Sequence, residues 1–200
     1  TDHVNPLGLV VSEDGGRTWE ARALAGRSDF HAMTTTPDGA IWGWDAMRAA
    51  LTRSADRGAS WQDGGVGAAP VDLVFALGAS PGATDEVLAA STSGLFRVDA
   101  NGVWSPAAFA GTPVTAVHLG SDDTVWAYVA SSDGGLMRQG DADAWSPVPL
   151  PLAPGVAVIA LTTDPHDPDR VFAATTDGSI LHSTDGGADW TAILEHADPR

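Results

Sequence analysis

A β-propeller of four-stranded antiparallel blades, an all-β fold, is predicted by two regularities in this 200-residue chain: a turn motif that recurs, and an order of strands and turns that recurs with it. The stretch "SEDGGRTW" places Ser12, Asp14, Gly16 and Trp19 at fixed spacing. "SADRGASW" repeats that spacing with Ser54, Asp56, Gly58 and Trp61, and "STDGGADW" with Ser183, Asp185, Gly187 and Trp190. On the order of 0.01 matches to Ser-x-Asp-x-Gly-x-x-Trp are expected by chance in a chain of this composition, so three copies are a repeat. Two worn copies, "VDANGVW" and "GDADAW", end at Trp104 and Trp145. The five tryptophans are 42, 43, 41 and 45 residues apart.

Within each period the order of apolar runs and turns is the same. "VFALGASPGATDEVLAASTSGLFRV" lies almost without gaps on "VIALTTDPHDPDRVFAATTDGSILHS": an apolar run, a Pro/Gly/Asp turn, a second run, a short turn and a third run ending at the motif. A fourth short segment follows the tryptophan. Apolar runs of this length bounded by turn residues read as strands, and those rich in Ala, Val and Leu read as buried on both faces. Four strands per period of about 43 residues is one propeller blade. Residues 1–200 therefore read as one domain, with blades at about 29–66, 71–109, 114–150 and 156–195. Residues 8–26 supply only the third and fourth strands of an earlier blade, so about four and a half blades are expected, with truncation on the N-terminal side.

Composition narrows the function. A net charge of −16, from ten arginines and no lysine against 26 acids, repels phosphate backbones and anionic membranes, which argues against nucleic acid as a partner. No run of 18 apolar residues is present, so no direct membrane insertion is expected of this chain. Without cysteine there is no disulfide and no thiolate chemistry. No metal site and no cofactor are expected.

The repeated motif resembles the Asp-box, or bacterial neuraminidase repeat, of sialidases, sortilin-like receptors and many secreted bacterial propellers. Across essentially its whole length the chain resembles more closely a bacterial, largely actinobacterial Asp-box family that goes under the name "glycosylhydrolase", through "NPLGLVVSEDGGRTW", "DFHAM", "WGWDA" and "PVDLVFAL". The resemblance implies six blades in all, with about one and a half further blades upstream. It also implies an extracytoplasmic location, secreted or lipoprotein-anchored.

The motif itself reads as a turn staple between third and fourth strands. The Asp accepts backbone N–H groups across the turn, the second Gly allows positive φ, the Ser bonds locally, and the Trp buries its ring with its N–H turned to a carbonyl. A catalytic residue is needed once, not five times. Three other stretches read as decoys. "GASPG" around Ser80 matches a hydrolase nucleophile elbow, but Pro81 has no N–H for an oxyanion hole. "DPHDPD" (Asp164, His166, Asp167, Asp169) reads as a solvated turn rather than a metal site, and Asp141 and Asp143 as a decayed motif. Sialidase chemistry needs an arginine cluster, a tyrosine nucleophile and an Asp acid/base; the lone Tyr128 lies mid-strand in "TVWAYVA", where packing explains it.

Topology supplies the candidate site. Inner strands start, and second strands end, on the face opposite the motif turns. There the first complete blade places Arg27, Asp29 and His31 at the start of its inner strand and Trp44, Asp45 and Arg48 at the end of its second; Asp72 precedes the next inner strand. Asp29, His31, Asp45 and Asp72 are candidate acid/base residues, while Arg27, Trp44 and Arg48 are candidate ligand contacts, Trp44 by stacking on a sugar. The plainer alternative is that His31 and Asp45 simply bond each other or backbone ends. The leading function is a scaffold that binds a carbohydrate or protein ligand. The alternatives are a glycoside hydrolase acting through Asp29, Asp45 or Asp72, with two carboxylates about 5–9.5 Å apart, and an assembly factor for a membrane complex.

Overall fold

A computed structural model of the chain describes residues 4–63, 69–84, 86–132, 134–140 and 144–195. Strands β1 (Leu9–Val11) and β2 (Glu20–Ala23) pair antiparallel as a two-stranded sheet, and among the described residues no further strand joins it. Four four-stranded antiparallel sheets follow, each built from consecutive strands. The first contains β3 (Phe30–Thr35), β4 (Ile41–Asp45), β5 (Ala50–Ser54) and β6 (Gln62–Asp63). The second contains β7 (Val74–Ala79), β8 (Glu86–Ser91), β9 (Gly94–Asp99) and β10 (Trp104–Ala108). The third contains β11 (Val114–Leu119), β12 (Val125–Val129), β13 (Gly135–Gln139) and β14 (Trp145–Val148). The fourth contains β15 (Val158–Asp164), β16 (Asp167–Thr175), β17 (Ile180–Ser183) and β18 (Thr191–Leu194). The first strands β3, β7, β11 and β15 neighbour one another in series, so the sheets stand side by side as a four-blade propeller fragment.

Side-chain alternation explains the stacking. Along β8 every residue after Glu86 is buried, which a strand achieves only when both of its faces are covered. Val87 and Ala89 join Trp42, Trp44 and Leu51 of the first sheet. Leu88 and Ala90, pointing the other way, join Val117, Val125 and Ala127 of the third. The pattern repeats one sheet further on, where Trp126 and Leu136 meet Val158, Val171, Ala173 and Leu181. The hydrophobic core thus lies between blades, in three successive layers. Glycine sets the spacing where backbones approach: a Cβ on Gly78 of β7 would lie 2.7 Å from the Leu119 methyl of the next sheet.

Polar contacts across these layers fix the rotation of one blade on the next. The Thr115 hydroxyl donates to the Val158 carbonyl at 2.7 Å, and the Ser80 hydroxyl to the Asp123 carboxylate at 2.8 Å. The Thr163 N–H donates to His118 Nε2 at 3.1 Å, so that nitrogen carries a lone pair and the half-buried imidazole is neutral. Within blades, an aromatic ring on the second strand faces a cation or imidazole on the third. Arg53 lies over Trp42 at 5.4 Å, Arg138 over Trp126 at 5.3 Å, and His182 stacks on Phe172 at 4.6 Å. In the fourth sheet the face carrying Phe172, Ala174 and Ile180 forms a shallow apolar groove of about 300 Å³. The equivalent face in each preceding sheet is covered by the next blade.

The third layer yields a test with an internal control. Gly187 and Gly155 both have positive φ, +91° and +83°, so alanine at either site meets a backbone penalty of about 1–2 kcal/mol. A Cβ on Gly155 would meet open space, whereas on Gly187 it would lie 2.8 Å from a Val148 methyl and 3.2 Å from the Trp126 ring. Gly187→Ala should therefore lower the chemical-denaturation midpoint clearly more than Gly155→Ala. Equal losses would show that the close approach of the third and fourth blades contributes nothing.

Candidate functional site

The repeated motif forms the same hydrogen-bonded turn three times. In the first copy Ser12 donates its hydroxyl proton to Asp14 at 2.9 Å and accepts the Gly16 N–H at 2.7 Å. Asp14 also accepts the Arg17 and Thr18 N–H groups and the Thr18 hydroxyl, and the Trp19 indole N–H donates to the Gly16 carbonyl at 3.1 Å. Ser54, Asp56, Gly58, Ser60 and Trp61 reproduce the arrangement, as do Ser183, Asp185, Gly187, Asp189 and Trp190. Gly16, Gly58 and Gly187 all have positive φ, between 83° and 91°. Bonds to the ionised carboxylate hold Asp14 and Asp56 down at about 2: the Thr18 N–H leads for Asp14 and the Ser60 hydroxyl for Asp56. Asp185 is lowered as well, chiefly by the Asp189 N–H. In the worn second copy Asp99 still accepts the Asn101 and Val103 N–H groups at 2.9 Å each. Asp141 and Asp143 lie outside the described residues.

One part of the expectation needs correction. Trp19 is not buried under its hairpin; it is 62% exposed, because no neighbouring sheet among the described residues covers that side of β1–β2. Trp61 is half-buried and stacks on Phe30, with ring centroids 4.9 Å apart. Trp190 packs against the third core layer.

At the opposite end of the first blade the candidate residues separate by environment. The Asp45 side chain is fully buried. Its carboxylate accepts the Asp29 N–H at 3.3 Å, the Met47 N–H at 3.0 Å and Arg48 Nε–H at 2.7 Å. Burial pushes its pKa up, but hydrogen bonds from Arg48, Ser28 and the Asp29 N–H outweigh that, and the net direction is down. Asp45 thus stays ionised and ties the β3 and β4 ends together, which removes it from acid/base candidacy. Asp45 thus bonds backbone ends, one form of the plainer alternative, whereas His31 pairs not with Asp45 but with Asp29 at 3.2 Å, both about half exposed. Trp44 offers no stacking surface. It is wholly buried, edge-on to Trp104 at 6.4 Å, because second-strand residues of a blade are covered on both faces. Asp72 is exposed ahead of β7.

Arg27 and Arg48 do come together. With Ser28, Ser60, Trp61 and Gln62 they line a cleft of about 570 Å³, closed on one side by Ala23 and Leu24 at the end of β2. The separation expected between motif turns on one face and ligand residues on the other fails here, since Trp61 and Ser60 of the motif share a cleft with both arginines. The cleft forms where the two-stranded sheet meets the first full blade, so no short motif signals it. Ser28, Ser60 and Gln62 were not foreseen as lining residues for that reason. Asp56 and Ser54 hold Ser60 and Trp61 in place, while Asp45 holds Arg48. Arg27 is exposed, and its side chain makes no hydrogen bond or ion pair among the described residues.

Ser80, Asp164 and Tyr128 each have a structural partner. Ser80 lies in the β7–β8 turn, where its hydroxyl serves Asp123 of the next blade. Asp164 accepts the His166 N–H at 2.9 Å at the β15–β16 turn. Tyr128 is half-buried against the third core layer, its hydroxyl 3.4 Å from the Val156 carbonyl, and burial raises its pKa.

No family model and no curated protein matches the chain. Solved structures do share its fold. Ycf48 bound to D1 peptide superposes with a TM-score of 0.62 at 21% identity, over 94% of this chain and 61% of that one. The GH74 xyloglucanase from Xanthomonas campestris gives 0.60 at 22% identity, over 94% and 34%. An auxiliary nutrient binding protein from Bacteroides thetaiotaomicron gives 0.68 at 8% identity, over 86% and 44%. At such identities the likeness is one of fold, a β-propeller shared by binding proteins and enzymes, and the chain spans less than two thirds of each.

The titrating groups give a two-step acid profile. Burial lowers the His118 pKa below its usual 6.5, so its neutral form is favoured in the fold. The unfolded chain takes up that proton first, and stability is full above pH 6.5 and declines as pH falls from there towards the lowered folded value. Asp14 and Asp56, depressed from 3.8 to about 2, add stability that is full above pH 3.8 and lost as pH falls through about 2. Thermal melts across pH should show both steps. His118→Gln should abolish the upper one and Asp56→Ala should diminish the lower; a lower step of unchanged size in Asp56→Ala would deny the staple its charge.

Proposed function

We propose that this chain is part of an extracytoplasmic Asp-box propeller that binds a ligand without transforming it, and that the cleft beside Trp61 is where the ligand sits. The observation that carries this reading is the convergence of two arginines, an indole wall and several hydroxyl and amide groups in one open cleft. Small-ligand sites combine shape, an aromatic or apolar wall and a few placed polar groups in this way. The volume falls within the roughly 300–1,000 Å³ of such sites. Fold relatives described as bound to a peptide or as nutrient binding are compatible with this role.

The glycoside hydrolase alternative, suggested by the resemblance and by the GH74 likeness, is weakened at Asp45. A hydrolase needs an acid and a base open to substrate, and the Asp45 carboxylate is covered and committed to Arg48 and backbone donors. Asp29 and Asp72 remain exposed, but neither lines the cleft.

The test is an oligosaccharide and peptide array probed with the whole chain, followed by titration calorimetry and product analysis on each hit. Binding without cleavage is expected, weakened tenfold or more by Arg27→Ala and unchanged by Asp72→Asn. Product release that disappears in Asp29→Asn or Asp72→Asn would overturn the proposal in favour of hydrolysis.

A further inference from the structure

The two ends of the blade stack are complementary. We propose that copies of this chain associate head to tail, the stapled turn of the β1–β2 sheet in one copy seating on the open face of the fourth blade in the next. The pattern for that contact is set inside the chain, where a turn glycine is a point of close approach to the blade before it. Gly187 is buried, and a Cβ there would lie 2.8 Å from the Val148 methyl and 3.2 Å from the Trp126 ring of the third blade. Gly58 is buried too, and a Cβ there would collide with the Leu9 side chain of β1. Gly16 forms the same turn with a similar positive φ, yet it is exposed. Among the described residues a Cβ on Gly16 would meet only its own Trp19 ring.

The fourth blade repeats the receiving face position for position. In the third blade Trp126 pairs with Arg138, and Leu136 with Val148. In the fourth, Phe172 pairs with His182, and Ile180 with Leu194. Trp126 and Leu136 are each only 1% exposed, because the fourth blade covers them. Phe172 and Ile180 are half-buried and Leu194 is 52% exposed, because among the described residues no turn lies on them. Phe172 and Ile180 line the apolar groove of that face. At the other end Trp19 is 62% exposed, whereas its counterpart Trp190 packs against the layer that holds Trp126. One copy thus presents an unburied indole beside a turn glycine. The next presents the kind of aromatic that such a glycine contacts inside the chain.

A second copy is the partner that fits, because the same chain carries both surfaces and the bonds of its first turn hold one of them in shape before contact. The two surfaces differ, so the contact is heterologous: each added copy leaves one surface of each kind free until a ring closes. A net charge of −16 on every copy opposes association at long range, but salt at physiological strength screens it beyond about 8 Å. The groups that meet are mainly apolar, so association strengthens as salt rises, the reverse of an ion-paired interface. None of these residues lines the cleft beside Trp61, which makes association and ligand binding separable.

The experiment is sedimentation velocity of the full chain across a wide range of concentrations. The average mass should rise above that of the monomer with concentration, and rise further with salt. Trp19→Asp and Leu194→Asp, both at exposed side chains, should each give monomers when alone. An equimolar mixture of the two should give a dimer and nothing larger, since one intact Trp19 and one intact fourth-blade face remain to meet. Met47→Asp, at a residue as exposed as Trp19 but at the end of β4 in the first blade, should associate like the parent chain. Circular dichroism of each variant checks its folding, and Trp19→Ser or Leu194→Ser replaces any Asp variant that loses its β-sheet signal. A parent chain that stays monomeric overturns the proposal. So does a Trp19 variant that associates like the parent, which would mean that fourth-blade faces meet each other. A mixture of folded variants that remains monomeric overturns it too.

Discussion

No blade of this protein has a core of its own, and the rest of the structure depends on that constraint. A four-stranded sheet carries apolar side chains on both faces, and each face is buried only when another sheet lies against it. Val87 and Leu88 are adjacent in sequence yet belong to different core layers, shared with different neighbours. A fully buried side chain of this kind contributes about 1.5–3 kcal/mol, and a lone blade would forgo that on both sides. Stability is therefore a property of the stack, as in other repeat architectures. The polar bonds between blades, such as Thr163 to His118, contribute less and act on orientation.

The stapled turns answer a consequence of this design. The outer strands are short and exposed, β6 having two residues and β18 being open along its length, so the outer hairpin must be held by its own turn. An ionised Asp accepting two to four donors, one of them the Ser hydroxyl, a Gly N–H bonded to that Ser, and an indole N–H on that Gly's carbonyl close the turn without a large core. At the first blade the same bonds fix Trp61 and Ser60 against the cleft. A device for structure there becomes the wall of a candidate site, and local rigidity is what a binding wall requires.

Asp45 and Arg48 illustrate how burial reassigns roles. Both are charged residues three positions apart at the end of one strand. The carboxylate, fully covered, is compensated by Arg48 Nε and by backbone N–H groups and stays ionised. The guanidinium is 43% exposed and faces the cleft. Asp45 thus positions Arg48 instead of acting as the acid or base that its side-chain chemistry suggests.

The repeat period, the strand order, the all-β class and the bonding of the stapled turns were all determined by the amino-acid sequence itself. The strands and turns depend on residues within about ten positions of one another, where side-chain alternation and turn chemistry act directly, and the period shows when such segments about 43 residues apart are compared. Arg27 and Arg48 were legible as ligand candidates because polar residues at strand ends stand out against apolar runs. What the tertiary structure alone decided is which of the neighbouring groups face solvent. Trp44 and Trp61 are both indoles of the first blade, yet one is sealed between two sheets and the other lines a cleft. That difference arises from the placement of β2 against the first blade and of the second blade behind it. Contacts between sheets some 40 residues apart along the chain leave no mark in local sequence pattern, because either indole would satisfy the same strand.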